Sequence, residues 1–141
     1  MRKRVGIWLD FNEANIIELG AGGKKDVKIT TVPSGIEHYH PKGGARSKTP
    51  YGPMDQMSEK TYLERRKAQE KAYFKKLMEA VKDADDLFIF GPAEAREGLE
   101  KAIRANNNFR PRLWGSERVD YITQNQKVAK VRDFFSERNI F

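Results

Sequence analysis

The stretch Leu87-Phe88-Ile89-Phe90-Gly91-Pro92-Ala93-Glu94-Ala95-Arg96 decides the fold. Four bulky apolar residues run without alternation between Asp85-Asp86 and Gly91-Pro92, the pattern of a strand buried on both faces. Proline suits the first turn of a helix, so Gly91-Pro92 reads as a structural β-to-α turn. Ala95, Leu99, Ala102 and Ile103 then fall at i, i+4, i+7 and i+8, one buried helical face. Asn106-Asn107-Asn108 ends that helix. Arg112-Leu113-Trp114 reads as a short last strand. Thr123 with Gln126 fits the cap of a terminal helix whose apolar face is Val128, Val131 and Phe135.

Towards the N-terminus, Val5, Ile7 and Leu9 alternate with Gly6, Trp8 and Asp10, the period of a half-buried strand. Asn15–Leu19 reads as its returning partner, Gly20-Ala21-Gly22-Gly23 as a turn, and Val27, Ile29 and Thr31 as a third strand. Residues 38–57 hold Pro41, Gly43, Gly44, Pro50, Gly52 and Pro53 and no apolar period, so they read as a long loop. A long helix follows over about Ser58–Lys82, with Ser58 or Thr61 as its cap and Tyr62, Tyr73, Leu77 and Val81 on its apolar stripe. The order βββ-αβαβα gives one α/β (α+β) domain over residues 1–141: a mixed sheet of about five strands with three helices packed on it. The pattern fits a ribonuclease-H-like architecture.

Composition narrows the function. Among 141 residues there are 27 Lys+Arg, 20 Asp+Glu and no cysteine, which excludes disulfides, thiol catalysis and Cys-ligated metals. No apolar run approaches a membrane span, and Val5–Leu9 is too short for a signal-peptide core, so a cytoplasmic protein is expected. The net charge of +7 is uneven: 38–60 carry +2, 61–82 carry +4, and 83–109 carry −3. The basic excess therefore sits on the long loop and the helix behind it. Lys42, Gly43, Gly44, Arg46 and Lys48 combine cations with glycines that admit a close backbone approach, as phosphate contact requires. Arg65, Arg66, Lys67 and Lys71 on the helix can track a phosphate backbone, and Tyr39 and Tyr51 can stack on bases. The plain alternatives are a surface loop and a solvated helix face.

Other constellations are weaker. His38 and His40 point the same way in an extended chain, but no third ligand is placed by spacing, so no metal is expected. Asp10, at the end of the first strand, admits a two-metal nuclease if Glu37, Asp85, Asp86 or Glu94 converge on it; otherwise it is a strand-end turn residue. No G-x-S-x-G, Walker loop or dinucleotide fingerprint occurs, and no cofactor or small-molecule substrate is expected.

Leu87–Arg96 resembles the buried strand, Gly-Pro turn and helix start in the middle domain of eukaryotic and archaeal class-1 peptide-chain release factors, and of the ribosome-rescue protein Pelota. Lys42-Gly43-Gly44-Ala45-Arg46-Ser47 falls where those factors carry their Gly-Gly-Gln loop. The tail Asp120–Phe135 is similar to the closing segment of small bacterial translational machinery proteins, stand-alone relatives of that domain. The resemblance implies a ribonuclease-H-like fold and binding to the ribosome, rRNA or tRNA, in rescue, stalling or hibernation. In release factors the loop glutamine helps position water for peptidyl-tRNA hydrolysis. Ala45 stands in its place, and a methyl group cannot orient water, so a non-enzymatic role is expected. Two other readings stay open at this point: a metal-dependent nuclease using Asp10, and a protein-interaction domain that has lost RNA binding.

Overall fold

A computed structural model describes residues 2–22, 26–37 and 52–141, with backbone alone for 52–58. Strands β1 (Arg4–Leu9), β2 (Glu13–Leu19) and β3 (Val27–Pro33) come first, then helix α1 (Gly52–Ala80). Strand β4 (Asp86–Gly91), helix α2 (Ala93–Ala105), strand β5 (Arg112–Arg118) and helix α3 (Gln124–Glu137) complete the order. The fold is mixed α+β: one five-stranded sheet in the order β3-β2-β1-β4-β5, with three helices. The meander pairs antiparallel, Ile7 opposite Ile16 and Ile17 opposite Ile29, whereas β4 runs parallel to both β1 and β5.

Pleating explains the unbroken apolar run in β4, since neighbouring side chains enter opposite faces of the sheet. Leu87 and Ile89 join Val5, Ile7 and Leu9 beneath α1 and α2, where Tyr73, Leu77, Leu99 and Ile103 cover them. Phe88 and Phe90 join Trp8 and Ile17 on the other face, beneath Val131, Phe134 and Phe135 of α3. The Phe88 and Phe134 rings stack with centroids 3.8 Å apart. Gly91 is required by geometry. Its φ is +138°, and a Cβ there would collide with the Leu9 carbonyl oxygen, so the strand can turn into α2 only without a side chain.

Several expected boundaries move. Residues 52–57, read as loop, belong to α1, because proline is tolerated in a first helical turn where its missing N–H costs nothing. Ser58 and Thr61 therefore lie inside the helix and do not cap it. Strand β5 continues past Trp114 to Arg118, through a register shift opposite Leu87/Phe88. The expected cap of α3 forms in full: Thr123 Oγ1 accepts from Gln126 N–H, and Gln126 Oε1 accepts from Thr123 N–H at 2.8 Å. Among the described residues no helix is long and apolar enough to cross a membrane.

Candidate nucleic-acid interface

Helix α1 buries Tyr73, Phe74, Leu77 and Met78 against the sheet and α2, and Tyr62 is buried beside Glu37, whose carbonyl accepts from its hydroxyl. The cations of α1 then divide between two exposed edges. On one edge they are engaged by the segment that leaves β3. Arg65 holds the Glu37 carboxylate through both oxygens, with N–O distances of 2.9 and 3.0 Å. Gln69 accepts from Glu37 N–H and donates to its carboxylate, and Lys76 Nζ donates to the Pro33 carbonyl at 2.8 Å. The Arg65 hydrogen bond holds the Glu37 carboxyl below its ordinary pKa, with burial opposing and Gln69 assisting. Arg66 is engaged as well. Its guanidinium pairs with Glu70 at 3.0 Å and lies over the Phe11 ring, 5.1 Å from the centroid.

The opposite edge differs. Lys60, Lys67, Lys71 and Lys75 are exposed and form no ion pair or hydrogen bond among the described residues. At 100° per residue the four lie within about 80° of one another, over a length of about 22 Å. Glu64 is the one acid on this edge. Of the four helix residues expected to contact RNA, Lys67 and Lys71 are thus unengaged, and Arg65 and Arg66 are tied to the protein. Lys60 and Lys75 complete the edge. Their i, i+7, i+11, i+15 spacing with Lys67 and Lys71 was visible in the sequence, but nothing in the sequence separated them from Arg65 and Lys76.

The lysine edge runs into a groove of about 1000 Å³ between the C-terminal half of α1 and the turn after α2. Phe74, Met78 and Phe109 supply its apolar surface, and Lys71, Lys75, Lys82 and Arg110 its cations. Two of these are neutralised: Lys82 pairs with Glu79 at 2.7 Å, and Arg110 with Asp85 at 3.0 Å.

Tyr39, Lys42, Gly43, Gly44, Arg46, Lys48 and Tyr51 lie outside the described residues, as do His38 and His40.

Asp10 is a turn residue in this structure. Its Oδ1 accepts from the N–H groups of Asn12 and Glu13 at 2.8 and 2.9 Å, and its carbonyl accepts from the Tyr73 hydroxyl. Burial pushes the Tyr73 phenol well above its usual pKa, with the nearby Asp10 and Glu13 charges adding to the shift. Three of the four carboxylates weighed with Asp10 are engaged elsewhere, Asp85 by Lys3 N–H and Arg110. Glu37 is clamped by Arg65. Asp86, at the far end of the sheet, accepts from Arg2 and from Trp114 Nε1, and Arg2 holds its pKa low. Glu94 shares a small cavity with Asp10, but among the described residues no three carboxylate or imidazole groups gather to hold a metal.

A buried lysine went unread in the sequence. Lys127 is 8% exposed, its ammonium 3.6 Å from the Trp8 ring centroid and 2.7 Å from Asn15 Oδ1. Burial lowers its pKa, against the raising effect of Glu13 and Asp10. In Gln124-Asn125-Gln126-Lys127 it looks like any solvated first-turn residue.

No protein-family model matches this chain, and no curated protein matches it. The interface is therefore read from its own geometry, and that geometry offers a lysine ridge without ion pairs among the described residues, beside a partly apolar groove.

Proposed function

We propose that this protein is a non-enzymatic RNA-binding protein that acts on the ribosome, through rRNA or tRNA, with the lysine edge of α1 as its contact surface. One observation carries the reading: four lysines share one exposed edge, and none of them forms an ion pair or a hydrogen bond among the described residues. Cations kept for structure are normally paired, as Arg65 and Arg66 are here. A row of unpaired lysines about 22 Å long instead suits a polyanion whose charges recur along a line. A ribosomal site, in rescue or hibernation, comes from the likeness to release-factor middle domains. Support for that likeness is the antiparallel meander joined in parallel to β4 and β5, as a ribonuclease-H-like domain requires. The Asp10 turn and the dispersed carboxylates favour binding over metal-dependent cleavage.

Co-sedimentation with purified ribosomes at low salt tests the proposal. The fourfold change of Lys60, Lys67, Lys71 and Lys75 to Glu abolishes co-sedimentation, while circular dichroism and thermal melting stay at wild-type values. Unchanged co-sedimentation of that folded variant rejects the surface.

A further inference from the structure

We infer that the groove at the C-terminal end of α1 accepts an unpaired nucleobase of single-stranded RNA, whose phosphates follow the lysine edge; this rests on the RNA-binding reading above. Continuity is the first reason. Lys71 and Lys75 belong both to the lysine edge and to the wall of the groove, so a strand tracked along α1 is delivered there. Size and lining are the second. About 1000 Å³ is at the upper end of small-molecule sites, and half-buried Phe109 offers apolar contact for a base face, with the edges of the buried Phe74 and Met78 beneath it. Phe74 is held in place from behind: its ring fills the space that a side chain on Gly98 would need, with the Gly98 Cβ position 2.5 Å from Phe74 Cζ.

The third reason is the asparagine run. The turn after α2 needs only Asn106, whose Oδ1 accepts from Asn108 N–H at 2.9 Å and whose carbonyl accepts from Phe109 N–H. Asn107 and Asn108 are exposed on the groove rim, and their side-chain amides make no hydrogen bond among the described residues. An amide presents a donor and an acceptor side by side, which matches the edge of a base once that base is unpaired. A duplex hides those edges and its base faces, so it can use the lysines and not the groove. Charge agrees: Glu79, which also lies near Lys75, is paired to Lys82, Asp83 sits by the same Lys82, and Arg110 is paired to Asp85, so Lys71 and Lys75 keep their charge free of any ion pair in the groove.

Fluorescence anisotropy of the full chain with labelled 12-nucleotide single-stranded RNAs (oligo-A, oligo-U and oligo-C) and a 12-base-pair RNA duplex tests this. The groove gives the single strands an advantage of about tenfold over the duplex. The double change Asn107→Ala with Asn108→Ala, at two exposed positions, lowers single-strand affinity by about tenfold and leaves duplex affinity and melting temperature unchanged. Unchanged single-strand affinity in that variant overturns the groove, whichever RNA binds better. Equal affinity of wild type for single strand and duplex also overturns it, while RNA binding itself stands. If neither RNA binds wild type, the RNA-binding reading fails as well.

Discussion

The two exposed edges of α1 carry the same kind of residue and do different work. Arg65, Arg66 and Lys76 hold the end of β3 and the chain that leaves it through Glu37 and Pro33, and Arg66 also covers Phe11 in the turn between β1 and β2. Lys60, Lys67, Lys71 and Lys75, about a third of a turn away, make no hydrogen bond or ion pair among the described residues. Charge density along the helix is therefore a poor guide to a binding surface. What distinguishes the edges is whether an acid or carbonyl from another element reaches the cation. Arginine, with its planar fork, is the residue on the side that clamps a carboxylate, and lysine the one left to solvent.

The largest expected effect is that of salt. Four phosphate contacts give a log–log slope of about −3 on single-stranded RNA, so raising salt from 50 to 200 mM weakens wild-type binding about 50-fold. A slope twice as steep would break the comparison, because the arginine edge would then also contact phosphate. Next, Lys67→Ala with Lys71→Ala weakens RNA binding about tenfold in anisotropy titrations, whereas Arg65→Ala with Lys76→Ala changes it less than threefold. Equal losses from the two pairs would erase the distinction between the edges.

Stability should move the other way, by smaller amounts. Arg65→Ala lowers the melting temperature at pH 7, and Lys67→Ala leaves it unchanged. The sign of the pH dependence follows from Glu37, whose folded pKa is held down by Arg65. The clamp contributes above the ordinary glutamate pKa of about 4.3 and is lost as pH falls through the lower folded value. The difference in melting temperature between wild type and Arg65→Ala therefore closes at acid pH. The smallest effect concerns Lys127, a cation that is neither clamped to an acid nor left in water. Its lowered pKa means the unfolded chain holds the proton more tightly, so this residue adds stability as pH rises from its folded value towards about 10.4. Lys127→Met removes that alkaline rise and changes stability at pH 7 by about 1 kcal/mol or less, as hydrophobic replacement of a buried charge often does.

Much of the fold was legible because local signals and burial agree. Leu87–Phe90 is apolar on both faces since both faces meet helices. Ala95, Leu99 and Ile103 are buried as their spacing requires, and Thr123 and Gln126 form the expected capping box. The misread places are those where local preference is overruled. Gly52 and Pro53 look like loop residues, yet a first turn accepts both. Gly115, Ser116 and Glu117 look unlike a strand, yet β4 supplies the hydrogen bonds and Phe134 lies over Gly115 where a side chain would clash. Of the interface, the sequence showed that α1 is basic. It could not show that Glu37, fifteen residues before α1, would return to claim Arg65, because that pairing is set by where β3 ends against the helix.

The chain alone determined the periodicities that make strands and helices, the absence of cysteine chemistry, and the concentration of positive charge between residues 38 and 82. These are properties of neighbours along the backbone, and sequence order records neighbours directly. Only the tertiary structure decided which charges are spent inside the molecule, that Asp10 closes a turn, that Lys127 is buried against Trp8, and that two asparagines edge a groove beside Lys71 and Lys75. Each of these depends on a partner many residues away, and the distance between such groups is fixed by the packing of helices on the sheet.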